Sequence, residues 1–480
     1  MKKFLLLTVL SYVTAKQDFS FLKNDLTDQL QQMYKQEIKD NIKSAKQDLS
    51  DQIAQKQKDL IDSILNIPSK IDILEDMGLV SKQKADLFDL SDPDVVKTFQ
   101  QIVQDNGYIF EEHKVTTEDG YILKMFRIPG KKSELQSHDG SVDSLEINKK
   151  VVFLQHGVFD SADCWIAHYS DRAPAFILSN QGYDVWLGNT RGNKYSNQHI
   201  DPTISQQQYW DYSFQEMGDY DIPAALDYIR LLTKQDKVAY IGHSQGTAQM
   251  FYGLATNQDY FADRVSIFIA LAPVTTISGK ESIFLEMFRS NVESLMKISK
   301  VLKIYDIFQP NQLTTGSSQL ICGYIPDFCK LGSLIADENL DLNEGKRAGV
   351  FFSHFPSGTS IRSLEHFSQI KSSGRFQTFD FGPARNIQRY GTEKPYEIPI
   401  QDIKKVPVAM FVGSLDLLSS QQDGEKTLEK MKNDVVFYQV YKLGHLGFMI
   451  AKDMSYFTRD VLSVLENHHS AKSNNHQNLE

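Results

Sequence analysis

The sequence predicts an α/β protein, a mostly parallel sheet with helices on both faces, from three observations. The runs VVFLQHG, YDVWLGN, VAYIGHS, SIFIALAPV and VPVAMFVGSLD are near-continuously apolar and bounded by glycine or polar turns, as strands buried on both faces must be. Helix-length segments separate them, which parallel neighbours in a sheet require. The 480 residues, 41% hydrophobic and 23% charged, supply enough apolar surface for a large core.

The chain begins MKKFLLLTVLSYVTAKQ, with two lysines ahead of a short apolar run and with Val13 and Ala15 suited to a cleavage site, so residues 1–15 are predicted to be a secretory signal. That run is too short to span a bilayer, and no later window reads as a membrane helix. From Lys16 to Ile67 there is no glycine or proline, and Leu22, Leu26, Leu30, Tyr34, Ile38, Ile42, Ala45, Leu49 and Ile53 recur every three or four positions. Residues 16–90 are therefore expected to form an amphipathic helical leader. Its narrow stripe suits self-association through residues 16–67 or a helix lying along another surface; a solvated leader with no specific role fits equally well.

The texture changes near Ser91. YIFEEHKVTTEDGYILKMFRIPG reads as a hairpin around Glu118, Asp119 and Gly120, and the apolar strands follow. Residues 91–274 and 406–465 are the expected sheet-bearing core. Residues 275–405, placed late in a parallel sheet and holding helical apolar stretches, are expected to form a cap or lid over the strand ends. The polar end, residues 466–480, is expected to be a disordered tail. A net charge of −10 argues against nucleic acid or an anionic membrane surface as the main partner. Cys164, Cys322 and Cys329 are too few and too scattered for a zinc site or a disulfide scaffold. The spacing of Cys322 and Cys329 allows one local bridge and equally allows two unpaired thiols.

The chemistry centres on KVAYIGHSQGTAQMFYG, a strand, then G-H-S-Q-G, then a helix. This is what a nucleophile elbow requires: a sharp turn exposes the hydroxyl of Ser244, and Gly242 and Gly246 let neighbouring backbone pass without a Cβ clash. Such a motif alone is common enough to arise by chance, and it gains meaning from its partners. A serine hydroxyl needs a base to take its proton, and the base needs an orienting carboxylate. Asp416 stands just beyond the strand VPVAMFVG, and His445 just beyond VVFYQVY in a glycine-bracketed loop, in the order Ser, Asp, His. Strand ends are where site residues gather in open α/β sheets. For the oxyanion, the expected donors are the N–H of Gln245 after the serine and the N–H of Val158 in the loop His156-Gly157-Val158.

The chain resembles the acid lipase family of animals, plants and protists. The resemblance runs from about Asp92 to Leu465 and rests on TTEDGYIL, VVFLQHGVFDSADCW, GYDVWLGNTRGNKYS, WDYSFQEMGDYDIPAALDYI, YIGHSQGTAQ, ALAPV, PSGTSIRSLEHFSQ and VGSLDLL, in order. It implies an α/β-hydrolase fold with a helical cap and lid over an apolar acyl-binding site, and hydrolysis of triacylglycerols and steryl esters without metal or cofactor. It carries the nucleophile to Ser244, the acid to Asp416, the base to His445 and the oxyanion donors to Val158 and Gln245. The family's cap disulfide coincides with Cys322 at one end, which leaves Cys329 as the candidate partner. The chain also departs from the pattern. Ser419-Ser420-Gln421 stands where the family has Ala-Asp-Pro, and Gly444 and Gly447 stand where it has Asn before the histidine and Asp two after. The leader lies outside the resemblance.

The expected function is a secreted or lysosomal serine ester hydrolase that meets a lipid ester at an interface or micelle. The alternatives are an esterase or acyltransferase on smaller acyl esters and a non-catalytic binding protein on the same scaffold. The intact set of candidate residues argues against the last of these.

Overall fold

Alternation of side chains along each strand sets up two apolar layers. In the computed structural model, which describes residues 91–135, 149–278, 305–308, 336–431 and 434–469, all within the unit Asp86–Glu480, the strands carry buried residues on both faces. Val152, Leu154, Val185, Leu187, Ala239, Ile241, Ile269 and Phe411 join one cluster. Their sequence neighbours Val151, Phe153, Trp186, Val238, Tyr240, Phe268 and Met410 join the other. This period of two, apolar at both phases, is the pattern of a sheet covered on both sides.

The strands are β1 (Glu111–Thr116), β2 (Tyr121–Ile128), β3 (Val151–Gln155), β4 (Asp184–Leu187), β5 (Gln198–His199), β6 (Val238–His243), β7 (Val265–Leu271), β8 (Asp306–Ile307), β9 (Thr359–Ser360), β10 (Val408–Gly413) and β11 (Val435–Tyr441). The main sheet runs β1-β2-β4-β3-β6-β7-β10-β11, with the short β5 paired to β2. From β4 to β11 every pairing is parallel, whereas β1 and β2 form the expected hairpin, with Glu111 opposite Arg127 and Thr116 opposite Ile122. β8 and β9 make a separate antiparallel pair.

The main helices are α1 (Phe99–Asp105), α2 (Pro174–Asn180), α3 (Ile222–Thr233), α4 (Gln245–Thr256), α5 (Gly345–His354), α6 (Ile361–Ser373), α7 (Gln421–Met431) and α8 (Leu462–His468). α1, α2 and α8 cover one face through residues such as Ile102, Phe176 and Leu465. α3 and α4 cover the other through Leu226, Ile229, Met250 and Phe251. Thr98 caps α1 reciprocally with Gln101, satisfying two N–H groups that the helix start leaves unpaired.

Two boundaries differ from the sequence reading. Residues 466–469, expected to open a disordered tail, are ordered instead: α8 continues to His468 and His469 is buried, its ring 6.3 Å from Tyr183 and its Nδ1 2.7 Å from Ser266 Oγ. A polar composition concealed one well-placed anchor. The stretch expected as a cap also feeds both core layers: Ala336, Ala348, Phe351 and Phe352 pack in one, and Ile370, Phe376, Ile398, Ile400 and Ile403 in the other. Burying apolar stripes on both sheet faces holds these residues to the sheet-bearing core. Residues 1–90, most of 275–335, Cys322, Cys329 and residues 470–480 lie outside the described residues, and with them the expected signal, leader, self-association and disulfide.

Candidate active site

Ser244 follows β6 directly and adopts φ 54° and ψ −119°, a backbone conformation that side chains other than hydrogen seldom take up. The turn is held from several sides. Ser244 N–H donates to Leu271 O at 3.0 Å at the end of β7, and Thr247 N–H donates to Ser244 O at 2.8 Å to start α4. The space around the turn explains its glycines: a Cβ on Gly246 would collide with the carbonyl oxygen of Gln155, so α4 can lie against the end of β3 only with glycine there. Ser244 itself stands at the N-terminal end of the twelve-residue α4, where unpaired N–H groups and the helix dipole favour negative charge.

Asp416 lies beyond β10. Its Oδ1 accepts N–H groups from Leu418 at 2.8 Å and Ser419 at 2.7 Å, so the carboxylate is clamped by its own loop. Ser419 is tied down in turn, its hydroxyl donating to Pro273 O at 2.7 Å. The other oxygen, Oδ2, lies 2.8 Å from Nδ1 of His445, beyond β11. Gly413 lets these two loops meet, with the Leu443 carbonyl crossing close over it.

His243 brings the serine and histidine segments together. Its ring lies 4.8 Å from that of His445, and its Nε2–H donates to the His445 carbonyl at 3.1 Å. Burial holds His243 well below the ordinary histidine range, with the nearby His445 pushing the same way, so it is a neutral donor. On the other side lies the loop after β3. A Cβ on Gly157 would come within 3.1 Å of Ser244 Cβ, which puts that loop beside the hydroxyl. Val158 follows, half-buried, and with Phe159 packs against Ile307, Phe308, Ile361 and Leu364. Gln245, the first residue of α4, is buried next to Ser244, with its backbone N–H in the first turn. The candidate residues read from the sequence thus stand at one end of the sheet, Gln245 on the first turn of α4, Ser244 on the turn before it, and Asp416, His445 and Val158 on the loops after β10, β11 and β3.

A match to the α/β hydrolase fold spans residues 150–294, and one to the partial alpha/beta-hydrolase lipase region spans residues 99–169. The chain is 34% identical to gastric triacylglycerol lipase of Homo sapiens, over 75% of this chain and 88% of that one. It belongs to the acid lipase family. Gastric triacylglycerol lipase of Mus musculus is 35% identical over 75% of this chain and 89% of its own, and lipase member K of Homo sapiens is 32% identical over 76% and 89%. As a member of that family the chain is a carboxylic ester hydrolase.

The electrostatics of this acid lipase converge on one ring. Burial pushes the His445 pKa down, but the charge of Asp416, its hydrogen bond, and the charges of Asp337 and Asp160 outweigh it and hold the ring above its ordinary value. Asp160, in the loop after β3, is buried and pushed up to about 7. Among the described residues no group of three or more His, Cys, Asp or Glu side chains is arranged to hold a metal ion. No described helix is long and apolar enough to cross a membrane.

Three residues that shape this site carried no sequence signal of their own. His243 stands inside the serine motif, where only the serine and glycines were informative. His156 anchors the loop that bears Val158. Asp337 comes from the stretch ADENLDLN, which reads as an ordinary polar turn.

Proposed function

We propose that this enzyme hydrolyses apolar lipid esters, triacylglycerols or steryl esters, through an acyl-enzyme on Ser244. The observation that carries the reading is the 2.8 Å pairing of His445 Nδ1 with a buried Asp416, with the His445 ring 4.8 Å from that of His243, the residue directly before Ser244 on its strained strand-to-helix turn. In this mechanism His445 Nε2 accepts the Ser244 proton as Oγ attacks the acyl carbonyl. Asp416 fixes the tautomer that leaves Nε2 free and stabilises the imidazolium that forms. The N–H groups of Gln245 and Val158 hold the oxyanion, with the start of α4 adding its dipole. His445 then protonates the leaving alcohol, and water, activated by the same ring, releases the fatty acid and frees Ser244.

The apolar cluster of Val158, Phe159, Ile307, Phe308, Ile361 and Leu364 beside the loop after β3 supports a long acyl chain over a short one. The relatives named as triacylglycerol lipases support the same substrate class. A signal in residues 1–15 and export from the cytoplasm belong to this proposal, as do action at a lipid interface without metal or cofactor and a bridge between Cys322 and Cys329. The test is hydrolysis of triolein, cholesteryl oleate and a p-nitrophenyl ester series from acetate to palmitate, by wild type and Ser244→Ala. Loss of all turnover in the variant, with rates rising toward long chains, is the expected result. Retained turnover in Ser244→Ala would remove the serine from its role.

A further inference from the structure

Asp337 touches both loops that carry the proposed acid and base. Its backbone forms a bridge opposite Asp416: Leu417 N–H donates to Ala336 O at 3.0 Å, and Glu338 N–H donates to Leu415 O at 3.0 Å. Its side chain reaches the other loop, where Oδ1 accepts the N–H of Leu446, the residue after His445, at 2.9 Å. Oδ2 accepts Asn343 Nδ2–H at 2.6 Å, and Asn343 in turn forms a bridge opposite Ala451 beyond the histidine loop. One residue therefore spans from the carboxylate loop to the imidazole loop, and it is 1% exposed.

Gly444 belongs to the same arrangement. A Cβ at that position would overlap the Asp337 carboxyl group, so the glycine before His445 makes the room that Asp337 fills. The family's asparagine at this place has no space here while Asp337 is present.

A carboxylate in this position is costly to bury. Among the described residues, the groups that act on Asp337 are Asn343, the Leu446 N–H, Asp416 and His445, none of them a lysine or arginine, and burial pushes it up to about 7. Asparagine could keep the Leu446 N–H on its Oδ1 and, with the Asn343 amide turned over, donate its own Nδ2–H to Asn343 Oδ1, without that cost. What only a carboxylate adds is negative charge beside a ring that turns positive as the reaction proceeds. His445 faces Asp416, Asp337 and Asp160, and has the His243 ring tilted against it with centroids 4.8 Å apart.

We propose that Asp337 is a positioning residue for His445: it fixes the imidazole loop to the Asp416 loop and adds a second buried carboxylate that steadies the imidazolium. This rests on the assignment of Ser244, Asp416 and His445 given above. It divides the work of the side chain into a geometric part, which asparagine retains, and a charge part, which asparagine lacks.

The experiment compares wild type, Asp337→Asn, Asp337→Ala and Ser244→Ala, with kcat, KM and the kcat/KM pH profile on a soluble p-nitrophenyl ester, counting active sites with a fluorophosphonate. Asp337→Ala should lose about 10- to 100-fold in kcat per labelled site with KM little changed, because the ring is displaced from its attack geometry. Asp337→Asn should recover most of that kcat, while the acidic limb of its profile moves to lower pH as His445 loses a negative neighbour. If Asp337→Ala does not fold, the asparagine variant decides alone through its profile. A wild-type acidic limb in Asp337→Asn, or wild-type kcat per site in Asp337→Ala, would overturn the proposal and leave the triad standing. Undiminished hydrolysis by Ser244→Ala would overturn the triad and this proposal together.

Discussion

His445 Nδ1 lies 2.8 Å from Asp416 Oδ2, while the other oxygen of the same carboxylate is occupied by two backbone N–H groups. The carboxylate cannot turn without giving up bonds from Leu418 and Ser419, so the imidazole meets a fixed acceptor. That acceptor selects the tautomer with hydrogen on Nδ1 and the lone pair on Nε2, the form a general base requires.

Asp416→Asn follows directly. The amide can keep its oxygen on the Leu418 and Ser419 N–H groups, which turns its NH2 toward Nδ1 and favours the opposite tautomer. The expected outcome is a fall in kcat of about four orders of magnitude with the loop intact. Single-turnover kinetics check the first part, and an unchanged melting temperature checks the second.

The pH dependence has a definite sign. His445 sits above the ordinary histidine value because three acidic side chains outweigh its burial. It acts as base only when neutral, so kcat/KM should fall as pH drops through that raised pKa. The acidic half-point in free enzyme should therefore lie above about 6.5. Below it log kcat/KM should fall with unit slope, or more steeply if a second group in the Asp337–Asp160 set titrates with the ring. A soluble substrate, for which interfacial binding does not vary with pH, makes the measurement clean. A half-point below 6 would mean that burial, not the carboxylates, governs the ring.

The parallel sheet and the candidate residues were legible because each leaves a local mark. A doubly buried strand writes a continuous apolar run, the elbow writes glycines around Ser244, and Asp416 and His445 follow recognisable strands. Asp337, His243 and His156 leave no such mark, because their roles come from contacts across more than thirty residues of chain. Gly444 was visible as a departure from the family pattern, yet the side chain that fills its space is 107 positions away (444 − 337). The boundary at residue 466 failed for the same reason: α8 is held by His469 against Ser266 and Tyr183, contacts that composition does not encode.

Backbone strain at Ser244 gives a stability prediction opposed to activity. At φ 54° and ψ −119° a Cβ is disfavoured, and such conformations cost on the order of 1–3 kcal/mol. Ser244→Gly should therefore be more stable than Ser244→Ala by about 1 kcal/mol or more, with both inactive. Paired denaturant melts check the difference. Equal stability would mean that the turn is not strained in the sense its angles imply.

His156 supplies the last case, since it supports the loop carrying Val158 without belonging to the proton path. It is fully buried, donates from Nδ1 to Gly157 O at 2.8 Å, and accepts at Nε2 from Thr190 N–H at 3.1 Å and Asn193 Nδ2 at 3.3 Å. Phenylalanine would fill similar space but leave the buried Thr190 N–H unsatisfied, at about 1–3 kcal/mol, while Gly157 O keeps the Asp160 N–H at 3.4 Å and Asn193 Nδ2 keeps Asn189 Oδ1. His156→Phe should lower the melting temperature and reduce kcat more than it raises KM, because a loosened loop binds the oxyanion less well than the ground-state ester. Burial already holds His156 down at about 4, so it stays neutral across the working range. The acidic limb of the profile should therefore not move. A shifted limb in His156→Phe would show that the ring communicates with His445 electrostatically, and its part would then be more than support of the loop.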